Sequence, residues 1–222
     1  MHIIQRNILA QLIQCDDCRY SELKPDDLES NHFMYHLKAV QREGLVEKQE
    51  SGRYSLTSKG KLYVDHLSLT SFKRRIQAKI VTLLVCQNDQ GDWLTLERRN
   101  QPLRGQIGFP YGKLHIGEGV EVAAHRELME KTGLTAKLRH AGDGYITIYE
   151  TGNIVSQISF HLFVGTECRG DIHETPHYGS VRWAPADTDF SQPPYMVSMP
   201  DLIGLVSKGS PERFFVELTY GT

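Results

Sequence analysis

One run limits what this chain can fold into more than any other: Gly112-Lys-Leu-His-Ile-Gly-Glu118, followed by Arg126-Glu127-Leu128-Met129-Glu130-Lys131-Thr132-Gly133-Leu134. Val120 to Lys131 contains no Gly or Pro and reads as a helix. Gly117 and Gly119 punctuate the loop before it, and Gly133 is placed to cap its C-terminus. Side chains three and four apart share a helix face, so Glu127 lies beside Glu130 and Lys131, with Ala123, Ala124 and Leu128 placed to pack beneath. Two adjacent carboxylates repel unless a cation sits between them. Mg²⁺ takes one or two protein carboxylates and completes its shell with waters and phosphate oxygens. It can neutralise a diphosphate and turn a bound water into a usable nucleophile. Glu127 and Glu130 alone would suit a solvated acidic helix face equally well.

The whole run resembles the signature of the Nudix hydrolases, G-x5-E-x7-R-E-U-x-E-E-x-G-U, where U is a bulky aliphatic residue. Gly112, Glu118, Arg126, Glu127, Leu128, Glu130, Gly133 and Leu134 fall in register, and Lys131 stands where the second Glu of the pair belongs. The flanks agree: Leu94-Thr-Leu-Glu-Arg-Arg99 reads as a strand, and Gln106-Ile-Gly-Phe-Pro110 is similar to the segment leading into the family's box. The resemblance implies an α/β/α sandwich with a mixed sheet over residues 79–222. It also implies cleavage of a nucleoside-diphosphate-linked substrate with Mg²⁺, or with Mn²⁺ in its place. Carried over position by position, Glu127 and Glu130 become metal ligands and Glu127 also helps to activate water. Arg126 orients Glu127, and Glu118 braces the loop or joins the metal site. The backbone carbonyl of Tyr111, where the family more often has Gly, is offered to the metal. Gly112 and Gly133 shape the loop. The residues by themselves also allow Glu118 and Arg126 to be a loop-bracing ion pair, and His115 and His125 to be merely exposed.

Lys131 puts a positive charge beside the implied Mg²⁺. At roughly 6 Å and an effective dielectric of about 20, each unit-charge interaction is worth about 3 kcal/mol. That is enough to empty a metal site if the ammonium stays. The flexible stem allows it to swing to solvent or to reach a substrate phosphate. Three outcomes are open: a weaker enzyme, an enzyme whose missing ligand comes from Glu150, Glu167 or Glu174, or a binding domain that no longer hydrolyses. Arg98, Arg99 and Arg104 are the candidate phosphate contacts, each alternatively a surface charge. Tyr111, Tyr145, Tyr149 and Phe160 are the aromatic residues available to stack on a base, or to fill a core.

The first third has a separate pattern. Ile3 to Ile13 has helical apolar spacing, a short helix is expected around Ser21-Glu-Leu-Lys24, and a third runs from Ser30 to Glu43 and is ended by Gly44. Leu45 to Gln49 and Arg53 to Leu56 read as strands joined by Glu50-Ser-Gly52, with a further helix from about Ser58. The stretches Phe33 to Val46 and Gly52 to Gly60 resemble bacterial winged-helix transcription regulators. That resemblance implies two domains: an α+β winged helix-turn-helix at 1–70, a linker at 71–78, then the Nudix region. In such domains the third helix enters the major groove and the wing touches phosphates. Ser30, Asn31, His32, Tyr35 and Lys38 on the helix and Arg53 on the wing would then meet double-stranded DNA, with Lys73-Arg-Arg75 adding phosphate contacts. The acids of this region nearly balance its bases, and winged helices also serve dimerisation, so a homodimer is the other arrangement. Two functions stay open: a Nudix pyrophosphohydrolase fused to a DNA-binding module, or a transcription regulator whose Nudix domain senses a nucleotide-like metabolite with little or no hydrolysis.

Composition bounds the partners. Over 222 residues the net charge is −2, which argues against a basic nucleic-acid coat or a polybasic membrane anchor. No apolar run reaches membrane-spanning length, and the N-terminus lacks a secretory pattern. Cys15, Cys18, Cys86 and Cys168 are too few and too scattered for a secreted disulfide scaffold, so a reducing cytoplasm is expected. Cys15-Asp-Asp-Cys18 and His32-Phe-Met-Tyr-His36 approach zinc-finger spacing. The core positions of a finger are out of register and Cys15 follows a helix, so zinc is not expected there.

Overall fold

The computed structural model describes residues 1–68, 70–173, 177–207 and 212–221. The chain divides into two compact units, Met1–Gln77 and Ala78–Thr222.

The first unit runs α1 (Ile3–Ile13), α2 (Tyr20–Leu23), α3 (Ser30–Arg42), β1 (Val46–Lys48), β2 (Tyr54–Leu56) and α4 (Ser58–Asp65). Its helices bury the stripes that their spacing dictates: Ile4, Ile8 and Leu12 from α1, and Phe33, Leu37 and Val40 from α3, form one core with Leu23, Leu45 and Tyr54. Reciprocal bonds start α1, with Gln5 Oε1 accepting from the His2 backbone N–H at 2.9 Å and His2 Nδ1 accepting from the Ile4 N–H at 3.3 Å. β1 and β2 form an antiparallel hairpin in which Val46 faces Leu56. Two expectations change here. Cys15 and Cys18 are joined by a disulfide, whereas the reducing compartment expected for this chain would keep them as thiols. Reciprocal backbone bonds between Cys18 and Tyr54 return the chain beside the end of α1, bringing the two Cα atoms to 6.7 Å. Arg53 is not presented to solvent as an unpaired phosphate contact. Its guanidinium is paired with the Asp17 carboxylate and donates to the Asp17 carbonyl at 3.1 Å.

The second unit contains β3 (Lys79–Cys86), β4 (Trp93–Arg98), β5 (Ile107–Gly108), β6 (Tyr111–Lys113), α5 (Val120–Thr132), β7 (Thr135–Glu150), β8 (Asn153–Arg169), β9 (Gly179–Ala184), α6 (Met199–Ser207) and β10 (Phe214–Gly221). A five-stranded mixed sheet has the order β10-β7-β8-β3-β6, and a three-stranded one the order β5-β4-β9. β3 pairs parallel with β8 and β10 parallel with β7, whereas β3–β6 and β7–β8 are antiparallel. Strand alternation divides the apolar residues between two cores. Val81, Leu83, Val85, Phe160 and Leu162 pack with Met199 and Leu202 of α6. Leu84, Cys86 and Phe163 pack with Ala124 and Leu128 of α5. The mixed sheet is therefore covered by α6 on one face and α5 on the other. No described helix is long and apolar enough to cross a membrane.

β7 and β8 run for 16 and 17 residues although Gly142, Gly144 and Gly165, a residue type that weakens strand interiors, lie inside them. Gly144 is required by the parallel docking of β10, since a Cβ there would sit 2.2 Å from the Val216 carbonyl oxygen and 2.8 Å from the Phe160 ring. Gly144→Ala should therefore destabilise the protein by about 1–3 kcal/mol, the usual range for overpacking. Gly204→Ala, inside α6 with nothing within 4 Å of the added carbon, should instead stabilise it by about 0.5–1 kcal/mol. Urea midpoints of the two variants check both signs.

Candidate active site

The box folds into one cleft of about 430 Å³ between β6 and α5. Antiparallel pairing with β3 holds β6 with Leu83 opposite Tyr111 and Thr82 opposite Gly112. Ala123, Ala124 and Leu128 are fully buried and seat α5, which turns Glu127 inward to 5% exposure. Gly112 makes room for it: a Cβ there would lie 1.6 Å from the Glu127 carboxyl carbon. The requirement for glycine at 112 is thus a packing requirement imposed by the carboxylate on α5. The helix ends at Gly133, which has a φ of 78° and donates its N–H to Met129 O.

Arg126 organises the acids. Its Nε and Nη2 meet the two oxygens of Glu118 at 2.7 and 2.8 Å, a bidentate fork. Its Nη1 reaches Glu127 Oε1 at 2.8 Å and Glu130 Oε2 at 3.2 Å, and Nη2 also donates to Lys113 O at 3.2 Å. The Arg126 hydrogen bonds are the largest influence on Glu118 and hold its carboxyl down from 4.5 to about 2; burial opposes them, and a bond from the His115 N–H assists. The same fork, first through Glu118 and then through Glu127, raises Arg126 further above its ordinary value, so it stays a cation. In this geometry Glu118 ties the loop before α5 to Arg126 on the helix.

Lys131 is within the site rather than beside it. Its ammonium lies 3.1 Å from Glu127 Oε2 and donates to the Tyr111 carbonyl oxygen. It is framed by the Tyr111 and Tyr178 rings, each with its centroid 5.2 Å away. The Glu127 oxygen and the Tyr111 carbonyl, two of the groups that the family resemblance assigns to a metal, therefore converge on a tethered cation. They are hard oxygen donors of the kind Mg²⁺ takes, so the donor set suits that ion once the ammonium is withdrawn.

Of the candidate phosphate contacts, Arg98 lines the cleft; it donates to the Tyr111 hydroxyl, and its Nε donates to Pro102 O at 3.1 Å. Arg99 and Arg104 do not line it: Arg99 reaches Ser180 Oγ at 3.4 Å, and Arg104 borders another depression with Glu150. Among the proposed replacement ligands, Glu150 is on that other depression and Glu167 is paired with Lys137 at 3.7 Å, so neither reaches the cleft. Glu174 lies outside the described residues. Phe160 is wholly buried in the core and cannot stack on a ligand. Lys113 and Tyr178 line the cleft without having been anticipated. Lys113 was visible as the residue next to Gly112; Tyr178 carried no sequence signal.

The Glu118 carboxylate has a depressed pKa, so its stabilising contribution is full above pH about 4.5 and is lost as the pH falls through about 2. Glu118→Gln should therefore be less stable than the parent chain near neutral pH, with a gap that closes over that acid window. Denaturant midpoints measured across it test the sign, and a gap independent of pH would contradict it.

The NUDIX domain family model matches residues 77–194. Similar solved structures include a mutator MutT protein from Bacillus halodurans, 25% identical, covering 64% of this chain and 90% of that one with a TM-score of 0.51. A MutT NUDIX hydrolase from Burkholderia pseudomallei is 20% identical, covers 59% of this chain and 99% of that one, and has a TM-score of 0.50. A MutT protein from Methanosarcina mazei Go1 is 17% identical, covers 62% and 100%, and also has a TM-score of 0.50; this structure and the Burkholderia one bear on fold alone. No curated protein matches the chain. With over half its length matched by the family model and the box assembled around Arg126 and Glu127, the chain belongs to the NUDIX domain family.

Proposed function

We propose that this chain is a hydrolase that binds a nucleoside-diphosphate-linked substrate in the cleft between β6 and α5 and cleaves its diphosphate with Mg²⁺. The observation that carries the reading is a buried carboxylate, Glu127, at a cleft also lined by Glu130 and by four cationic side chains, Arg98, Lys113, Arg126 and Lys131. A site that merely exposed an acidic helix face would not bury its glutamate under a glycine and brace it with an arginine. Family membership supports hydrolysis of this general type.

Glu127, Glu130 and the Tyr111 carbonyl would hold the ion. When bound, Mg²⁺ supplies charge neutralisation at the diphosphate and an activated water. The remaining work belongs to the chain. Arg126 keeps Glu127 from rotating by holding Oε1 at 2.8 Å. Arg98 and Lys113 offer positive charge to the phosphates. Lys131, on a flexible stem, exchanges the Glu127 carboxylate for a substrate phosphate and so vacates the oxygen donors. Tyr111 and Tyr178 supply ring faces beside the cleft for a base or a ribose.

A second reading is favoured by one specific contact, the Lys131 ammonium already seated on Glu127 and the Tyr111 carbonyl. In that reading the cleft senses a nucleotide-like metabolite and the first unit is a DNA-binding winged helix. Its helix order and hairpin suit that role, and Ser30, Asn31, His32, Tyr35 and Lys38 of α3 are exposed. Arg53, held by Asp17, would contribute little, so binding would rest on α3 and on the Lys73-Arg-Arg75 run. DNA affinity that falls with added salt is expected of it, and a flat salt response would count against it.

Release of phosphate or nucleoside monophosphate from a panel of nucleoside-diphosphate derivatives, with Mg²⁺ or Mn²⁺, separates the two. The hydrolase reading expects metal-dependent turnover that Glu127→Gln lowers by at least about a hundredfold. Thermal stabilisation by one of the same compounds without turnover would transfer the lead to the sensor.

A further inference from the structure

His140 and Asp143 lie on β7 and His161 on β8, outside the cleft. In a regular strand, positions 140 and 143 would face opposite sides of the sheet, because side chains alternate. The pairing register shifts between His140 and Gly142, with His140 opposite Phe163 and Gly142 opposite Leu162. This bulge reverses the parity and brings His140 onto the face of Asp143 and His161, and bulges recur where a side chain has to be re-aimed. The result is convergence on one atom. Asp143 Oδ1 is 2.9 Å from His140 Nε2 and 2.6 Å from His161 Nδ1, and all three ligand atoms lie within 4.8 Å of one another.

We propose that His140, Asp143 and His161 form a binding site for a first-row divalent transition metal, separate from the cleft at Glu127. Two imidazole nitrogens and one carboxylate oxygen are a borderline set of the kind that takes Zn²⁺, Co²⁺ or Ni²⁺ in preference to Mg²⁺. Metal–nitrogen bonds of about 2.0–2.1 Å and metal–oxygen bonds of about 2.0–2.2 Å place tetrahedral ligands a little over 3 Å apart, so each Asp143–histidine contact has to open by less than about 1 Å. A carboxylate only accepts, so in the metal-free chain the facing ring nitrogens would carry the hydrogens, that of His140 shared with Gly142 O at 3.1 Å, and metal binding would select the other tautomer of each ring. Burial acts most strongly on Asp143 and opposes ionisation, but the His161 and His140 hydrogen bonds outweigh it and hold the carboxyl below its ordinary value, so the anionic ligand is ready. The side chains keep 18%, 38% and 28% exposure for His140, Asp143 and His161, which leaves an entry path and outward positions for water.

The surroundings point the same way. Phe215, Asp143, His161, Thr82 and Gly112 are successive cross-strand partners, a single rung across the sheet. Thr82 is fully buried and its hydroxyl has no hydrogen-bond partner among the described residues. A water held by the metal on this face would give it one. With strands about 4.8 Å apart, His161 lies about 10 Å along the rung from Gly112, the glycine against Glu127. The site is thus tied to the cleft by backbone but shares no ligand with it, and it stands whether or not the cleft hydrolyses anything.

Co²⁺ titrated into the full, tag-free chain after chelator treatment tests it through the visible ligand-field absorption of a nitrogen-coordinated ion. One saturable equivalent is expected, together with a rise in melting temperature. Outer-shell changes alone cost metal sites about 10–100-fold in affinity, so His161→Ala and Asp143→Asn should each weaken binding by at least about a hundredfold. Glu127→Gln and His36→Gln, at the cleft and in the first unit, should leave the absorption unchanged. Melting curves of the metal-free variants establish that they fold. Absorption that persists in both His161→Ala and Asp143→Asn, or that disappears in Glu127→Gln, would overturn the proposal, as would the lack of any saturable binding by the parent chain.

Discussion

The site depends on a single contact, a buried carboxylate on α5 pressed against a glycine on β6. Glu127 fills the space that any side chain at 112 would take. That contact fixes how closely helix and strand approach, and so places the Tyr111 carbonyl, Arg126 and Lys131 around the same few ångströms. A buried glutamate without partners would be costly or would lose its charge. Here Arg126 meets one oxygen and Lys131 the other. Arg126 is in turn held by the fork to Glu118, which links the loop before the helix to the helix itself. Removing any member leaves a charge without its counter-charge, so the group behaves as a unit.

The same electrostatics explain why Lys131 is tolerated where the family has a glutamate. A lysine four residues after a glutamate pairs with it favourably on a helix, and a cation near the C-terminus of α5 suits the helix dipole. In the resting chain the ammonium neutralises Glu127 and satisfies the Tyr111 carbonyl, which stabilises the very donors a metal would use. On the proposed function a ligand's phosphates, together with Arg98 and Lys113, would then join the equilibrium that decides whether the oxygens are free. The two proposed readings, hydrolase and sensor, would differ in that one quantity.

How much of this was legible in the sequence followed the range of the interactions. α5 was readable because its period, its lack of breakers and Gly133 are all local. That Gly112, Glu118 and Arg126 gather around Glu127 was readable because the box has fixed spacing. The bond from Lys131 to the Tyr111 carbonyl was not, because that carbonyl belongs to a residue twenty positions away on a strand. Arg53 seemed a free wing cation for the same reason, with Asp17 thirty-six positions distant. Gly142 and Gly144 look like breakers when read alone, yet both lie inside β7, where the docking of β10 requires them. The triad of His140, Asp143 and His161 was hidden by a bulge that inverts the parity on which strand reading relies.

The most direct test of the account is a crystal structure of the full chain with Mn²⁺ and a non-hydrolysable nucleoside-diphosphate analogue, with the metal located by anomalous scattering. The account predicts a metal bonded to Glu127 and to the Tyr111 carbonyl, with the Lys131 ammonium moved onto a phosphate. An analogue bound in the cleft with Lys131 still seated between Glu127 and the Tyr111 carbonyl, and no metal there, would contradict it.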